Sequence, residues 1–319
     1  MVMQQVETRE NLNLESLNWG DLTWVDIEKP TEREKVYLAQ NYTFHELDLD
    51  DCLSRIQRPK IDEYKDYLFL VLRFPIFNKK ARVTESSQVS VFIGDHYLVT
   101  LHEGRLKPVV KLFHDCQDDE TRRQENFSNG SAYLLYRIID RLVDYCFPIL
   151  NKVGENIDLV EETIFSDRSR TTVREISELR RDIISLRRIM GPMRTTISGL
   201  EPRIRRYSQK DLAVYFGDTV DHLEKIWEIL EAHKEVIEGL NSAYDSLSSE
   251  RINDILRTLT ILATIGTTLT VVASFFGMNI PLPGGANPGG YVFSWVILAV
   301  LMLGILAGML LYFRRKGWL

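Results

Sequence analysis

The order of apolar and polar positions changes character three times along the 319 residues. Up to about residue 125 short apolar runs alternate with polar ones. Trp24 to Ile27, Tyr67 to Phe77 and Gln88 to His102 are rich in β-branched and aromatic residues and predict strands. Gly94-Asp95 divides the last into two apolar runs and predicts a hairpin turn. Pro30-Thr31-Glu32-Arg33-Glu34 predicts a helix start, with Thr31 as N-cap and acids in the first turn, and His45 to Ser54 predicts a second short helix. Residues 1–125 therefore read as a compact α/β domain with a partly antiparallel sheet.

From residue 126 apolar positions recur every three or four residues. Asn129 to Ile164 and the Arg-rich stretch Asp167 to Ile189 predict amphipathic helices, with Pro192 and Pro202 as breaks, giving a helical region over 126–208. No proline interrupts Arg203 to Ile280. A helix over 209–276 would be about 100 Å long at 1.5 Å per residue, too long for one globular domain and suited to a stalk that enters a membrane. Two apolar stretches then follow. Thr258 to Phe276 holds 19 uncharged residues and Tyr291 to Phe313 holds 23, each enough for a transmembrane helix. The first span is placed at 257–276, a Gly/Pro-rich loop at 277–290, the second span at 291–313 and a basic tail at 314–319.

Charge sharpens this division. The net charge is −6 and 26% of residues are charged, yet none lies between Arg257 and Arg314. Arg314-Arg315-Lys316 directly after the second span places the C-terminus inside, and two spans place the N-terminal domain inside as well. Trp318 would anchor at the interface. The N-terminal stretch lacks the pattern of a signal peptide, and three scattered cysteines give neither a disulfide framework nor a zinc cage. Both termini are thus expected in the cytoplasm and the spans in the inner or plasma membrane. Residues 211–250 carry ten acids and two bases, either a solvated helix face or, in several copies, a cation-attracting vestibule. No P-loop, GxGxxG, HExxH or GxSxG occurs, so no enzymatic site is expected. Acids interleave the Arg168–Arg206 run, which favours paired surface charges over nucleic-acid binding.

Within the first span Asn253, Leu256, Thr260, Ala263, Thr267, Thr270, Ser274 and Gly277 fall at alternating spacings of three and four and share one face. That face is small or polar apart from Leu256. Small and hydroxyl residues pack helices in lipid; alternatively they line a water-filled pore, which one two-span subunit cannot enclose, so the pore reading requires an oligomer. Gly304 and Gly308 in the second span form a GxxxG suited to close packing on the first helix or on a neighbour.

Gly277-Met278-Asn279 directly after the first span resembles the signature of the CorA family of divalent-cation channels. The closing Tyr312-Phe313-Arg314-Arg315-Lys316-Gly317-Trp318-Leu319, the run Leu259 to Ile265, Arg58-Pro59-Lys60 with Tyr64 and Tyr67-Leu68-Phe69, and Tyr215-Phe216-Gly217-Asp218 with Asp221-His222 resemble the same family. The resemblance implies a funnel-shaped homopentamer, stalk helices continuing into pore-lining helices, and Gly277, Met278 and Asn279 as an outer selectivity filter. A ring of neutral carbonyls suits Mg²⁺, which gives up its water shell reluctantly. It also implies gating by intracellular Mg²⁺ bound between cytoplasmic domains, with Asp218 and Asp221 as the matching acids and Glu85 as the acid across the interface. Co²⁺ and Ni²⁺ are further expected cargo. The loop Ile280 to Gly285 departs from the acidic loop of magnesium members, and Ser242 stands near the funnel neck where the family tends to place an acid. A ZntB-type Zn²⁺ transporter is therefore the alternative within transport, with His222 and His233 as soft ligands or plain surface residues. A two-span membrane-anchored sensor or scaffold is the alternative from another class.

Overall fold

The computed structural model describes residues 12–54, 57–78, 83–164, 169–278 and 290–318. The chain divides into two compact units, Met1–Asn241 and Ser242–Leu319.

In the first unit β1 (Leu14–Trp19), β2 (Leu22–Glu28), β3 (Lys60–Glu63), β4 (Leu68–Asn78), β5 (Val83–Ile93) and β6 (Tyr97–His102) form one sheet in the order β1-β2-β6-β5-β4-β3. Only β2 and β6 pair in parallel. Along β4, Phe69 and Val71 face one side of the sheet with Phe92, Val99, Val25 and Ile27, and pack on Leu38 and Leu49 of α1 (Glu32–Asn41) and α2 (Glu46–Leu53). Leu68, Leu70, Leu72, Phe74, Val89 and Val91 face the other side and are fully buried. That side meets α5 (Ser131–Asp144), α6 (Cys146–Ile164) and α7 (Ser169–Ser198). Burial on both faces explains why Leu68 to Leu72 of β4 is an unbroken apolar run rather than an alternating one. Two further helices, α3 (Lys107–Asp118) and α4 (Glu120–Phe127), lie between β6 and α5 in the chain.

The local signals act as their chemistry requires. At α1 the Thr31 hydroxyl accepts from Arg33 N–H (3.3 Å) and Glu34 reaches back to Thr31 N–H (2.7 Å), a capping box. The Gly94-Asp95 turn joins β5 to β6 as an antiparallel hairpin. Pro192 does not break its helix: α7 runs through it to Ser198. Gly191 precedes it and has no Cβ to clash with the proline ring, while Met193 and Ile197 beyond it are buried and hold the last turns. Pro202 opens the short α8 (Glu201–Ile204).

Two strands, β1 and β3, lie where the sequence pattern predicts none, and the parallel β2–β6 pairing carries a buried polar group. Trp24 Nε1 donates to Thr100 Oγ1 (2.9 Å), and the Thr100 hydroxyl donates to Asp26. Gly104 N–H donates to His102 Nδ1 (2.9 Å), which leaves the proton on Nε2 to donate to the Asp26 carboxylate (3.1 Å).

The helix α9 (Ala213–Phe276) contributes to both units. Asp211 Oδ1 accepts from Ala213 N–H (3.0 Å) and starts it. In the first unit it packs on α7 through Trp227. That ring stacks between the guanidinium groups of Arg187 and Arg194, which lie 5.1 and 4.9 Å from its centroid. In the second unit α10 (Gly290–Arg315) follows. Its end is closed by Gly317 at φ +69°, which lets Trp318 stack on Phe313 (5.8 Å).

Candidate functional site: a hydroxyl face and an acidic cluster

The second unit holds two helices long and apolar enough to cross a membrane. The buried and half-buried positions of each form its covered seam. On α9 these are Ile261, Thr264, Ile265, Thr268, Leu269 and Val272; on α10 they are Leu298, Met302, Ile305, Leu306, Met309 and Phe313. Each set falls on one face at helical spacing. Asn253, Leu256, Thr260, Ala263, Thr267, Thr270 and Ser274 are all exposed. At 100° per residue their face lies nearly opposite the seam. Packing against the chain's own second span therefore does not account for the small and polar stripe. The same holds for Gly304 and Gly308, which are exposed with nothing within 4 Å of an added Cβ. Of the two packing roles open to that GxxxG, contact with the first helix of the same chain is the one the structure removes.

The threonine hydroxyls satisfy themselves. Thr260 donates to Leu256 O (2.7 Å) and Thr270 to Gly266 O (2.8 Å). Thr264 and Thr268 do the same toward the seam (2.6 and 2.8 Å). With each proton committed to the backbone four residues earlier, the exposed Thr260 and Thr270 oxygens offer lone pairs only. Such a surface accepts hydrogen bonds from water, including water around a cation, and carries no charge to trap the ion. At the end of the helix Gly277 N–H bonds Ala273 O (3.0 Å), and Met278 is exposed. Asn279 and the loop 280–289 lie outside the described residues.

In the first unit Asp218 and Asp221 are exposed. Asp218 Oδ1 lies 4.0 Å from His222 Nε2, and Asp144 Oδ1 lies 3.6 Å from His222 Nδ1. Burial pushes the Asp140 carboxyl above its ordinary range, with Asp144 and Asp218 adding to the rise and Arg137 and His222 opposing it. The structure thus brings Asp140 and Asp144 of α5 to Asp218, a pairing that no motif in the sequence marks. Among the described residues no group of three His, Cys, Asp or Glu side chains converges as a closed metal site. Glu85 is engaged elsewhere: Asn78 Nδ2 (2.6 Å) and Arg105 (2.7 Å) both donate to it, and together they hold its carboxyl below the ordinary range. His233 is half-buried, packs at Gly154, and is depressed by desolvation. Within the Arg-rich run four arginines are paired: Arg187 with Glu231 (2.6 Å), Arg174 with Glu178 (2.8 Å), Arg205 with Glu201 (2.9 Å), and Arg194 with Glu224.

A large α/β unit, a helix that continues from it into an apolar span, a second apolar span and an exposed hydroxyl face define a two-span membrane protein. The family model described as "CorA-like Mg2+ transporter protein" matches residues 19–315. A putative metal ion transporter of Bacillus subtilis (strain 168), YfjQ, is 31% identical over 97% of this chain and 94% of its own. The cobalt/magnesium transport protein CorA of Thermotoga maritima is 31% identical over 93% of this chain and 83% of its own. The complete structure of the CorA magnesium transporter from Methanocaldococcus jannaschii superposes with a TM-score of 0.81 at 22% identity, covering 96% of this chain and 95% of that one. The chain belongs to the CorA family and is a cation transport protein, not an enzyme.

Proposed function

We propose that this chain forms a homopentameric channel for Mg²⁺ in the inner or plasma membrane, with both termini cytoplasmic and the α9 hydroxyl face lining the pore. The observation that carries the reading is the exposure of Thr260, Ala263, Thr267, Thr270 and Ser274 on the side of α9 away from its covered seam. That side is left for other subunits and the ion path. Neutral acceptor oxygens fit a cation that moves with its water: Mg²⁺ holds its hydration shell tightly, and attraction without charge lets it leave again. Gly277, Met278 and Asn279 act as the outer filter. The name of the Thermotoga maritima relative supports Mg²⁺ with Co²⁺ as further cargo, and Ni²⁺ follows by the same chemistry. The neutral loop Ile280 to Gly285 favours Zn²⁺ transport as the second reading.

Regulation is assigned to Mg²⁺ at Asp218 and Asp221, with Asp140 and Asp144 added from the geometry. A hard cation takes oxygen ligands, and these carboxylates leave the site open for a neighbouring copy to complete. Glu85 would have to release Arg105 to take part.

Flux into proteoliposomes tests the reading, comparing Mg²⁺ with Zn²⁺, with and without a proton gradient, for the wild type and Asn279→Ala. Mg²⁺ flux that needs no gradient and is lost in the variant is expected. Zn²⁺ flux driven by the gradient would move the chain to the second reading, and full Mg²⁺ flux in Asn279→Ala would remove the filter assignment.

A further inference from the structure

A groove of about 910 Å³ opens between α3, α4 and α5, wholly within the first unit. Lys107, Lys111, Arg122, Arg137 and Arg141 line it, against Asp115, Glu125 and Asp144. The acids do not balance the bases where it matters. Asp115 takes both Arg122 (3.1 Å) and Arg141 (3.4 Å). Among the described residues Lys107, Lys111 and Arg137 make no ion pair. Arg137 Nε is fixed by Asn126 Oδ1 (3.1 Å), and the buried Asn126 in turn donates to Arg122 O (2.6 Å). Lys107 and Lys111 stand one turn apart at the start of α3, whose N-terminus carries Pro108 and no side-chain cap, so the positive end of the helix adds to theirs.

Five bases against three acids leave the groove net positive in a chain of net charge −6, and an anion bound there would offset that excess. We propose that this groove binds a nucleoside polyphosphate. The phosphate chain sits on Lys107, Lys111 and Arg137, and the base lies toward Tyr145 at the end of α5, which also lines the groove. The volume exceeds what a bare phosphate needs and falls within the range of small-ligand sites. The rim acids Asp115, Glu125 and Asp144 limit how far a continuous polyanion such as RNA could extend. Asp144 belongs both to this groove and to the cluster with His222 and Asp218, so an occupied groove places negative charge beside those carboxylates.

The test titrates ATP into the full chain in phosphatidylcholine nanodiscs with EDTA and no divalent ion. Binding is then read without transport, and its failure is distinct from failure of the channel reading. Saturable ATP binding is expected, with adenosine failing to saturate. The exposed pair Lys107→Gln/Lys111→Gln should weaken ATP about 10-fold, and Arg137→Gln by a similar factor. Lys65→Gln/Lys152→Gln, which removes the same charge from exposed lysines outside the groove, should stay within about 2-fold. Absence of saturation to about 5 mM ATP, or equal affinity in the groove and control pairs, would overturn the proposal. So would loss of ATP binding in nanodiscs containing phosphatidylglycerol, which would make the groove a seat for a lipid phosphate instead.

Discussion

Trp227→Ala should loosen the attachment of α9 to α7 in the first unit more than any single charge change there. The half-buried indole lies between Arg187 and Arg194 and meets Gly191, where an added Cβ would come within 3.4 Å of the ring. Covering roughly half of an indole removes about 100 Å² from water, worth about 2.5 kcal/mol. Each guanidinium over the ring adds about 0.5–1 kcal/mol. The Arg187–Glu231 and Arg194–Glu224 pairs are partly exposed and add little by themselves, but they hold the guanidinium groups near the ring. The loss is therefore about 3.5–4.5 kcal/mol, which converts to a rise of about 300- to 1,600-fold in amide exchange wherever local opening controls it. Hydrogen exchange followed by mass spectrometry reads this over 213–241 of α9. Trp227→Phe, which keeps a flat face, should lose about a third as much. A rise below about 3-fold in Trp227→Ala would refute the reasoning, because neither burial nor stacking would then be holding the two helices together.

Two further outcomes follow from individual contacts. Asp140→Asn should stabilise the metal-free chain at neutral pH. The raised carboxyl pKa means the native state favours the protonated form, so its stability contribution is present below the unfolded value of an aspartate and lost as pH rises through the folded one. The melting-temperature gain of the variant should shrink as pH falls toward 4, and a gain independent of pH would remove the burial argument. Thr31→Ala deletes the capping box at α1 and should cost about 1 kcal/mol in urea unfolding of the first unit, with Thr31→Ser nearly neutral; equal losses in both would point to packing rather than capping.

Elements whose signal is local could be read from the sequence. The hairpin at Gly94-Asp95 and the Thr31 cap depend on a few adjacent residues, and the α/β class with a long helix and two apolar spans follows from periodicity and length. What escaped depends on partners distant in sequence. β3 is a half-exposed strand of four residues, Lys60 to Glu63, with no apolar alternation, formed because β4 offers an edge. The parallel β2–β6 pairing and its Asp26–His102 contact join residues 76 apart. Pro192 reads as a break because the steric relief from Gly191 and the burial of Met193 and Ile197 are tertiary facts. At the candidate site the polar stripe was legible as a spacing, but that the chain leaves the whole stripe exposed was not. Asp140 and Asp144 were invisible as neighbours of Asp218, since they lie on another helix about 75 residues earlier.

The acidity of the 211–250 segment also changes meaning once its partners are known. Ten acids against two bases suggest a strong field, yet Glu224 and Glu231 are neutralised by Arg194 and Arg187, and Lys234 lies 3.8 Å from Glu238. A paired carboxylate acts at a distance as a dipole, and at physiological ionic strength even a free charge is screened beyond about 8 Å. Long-range attraction by the segment as a whole is thus the weaker part of the argument for a cation vestibule. The stronger part is local: the exposed Asp218 beside the half-buried Asp140 can act on an ion only at contact range. In the proposed function, contact-range action suits a site that reports a cation concentration better than one that merely gathers ions. The hydroxyl face of α9 then needs no charge of its own, since conduction requires acceptors that let the ion go.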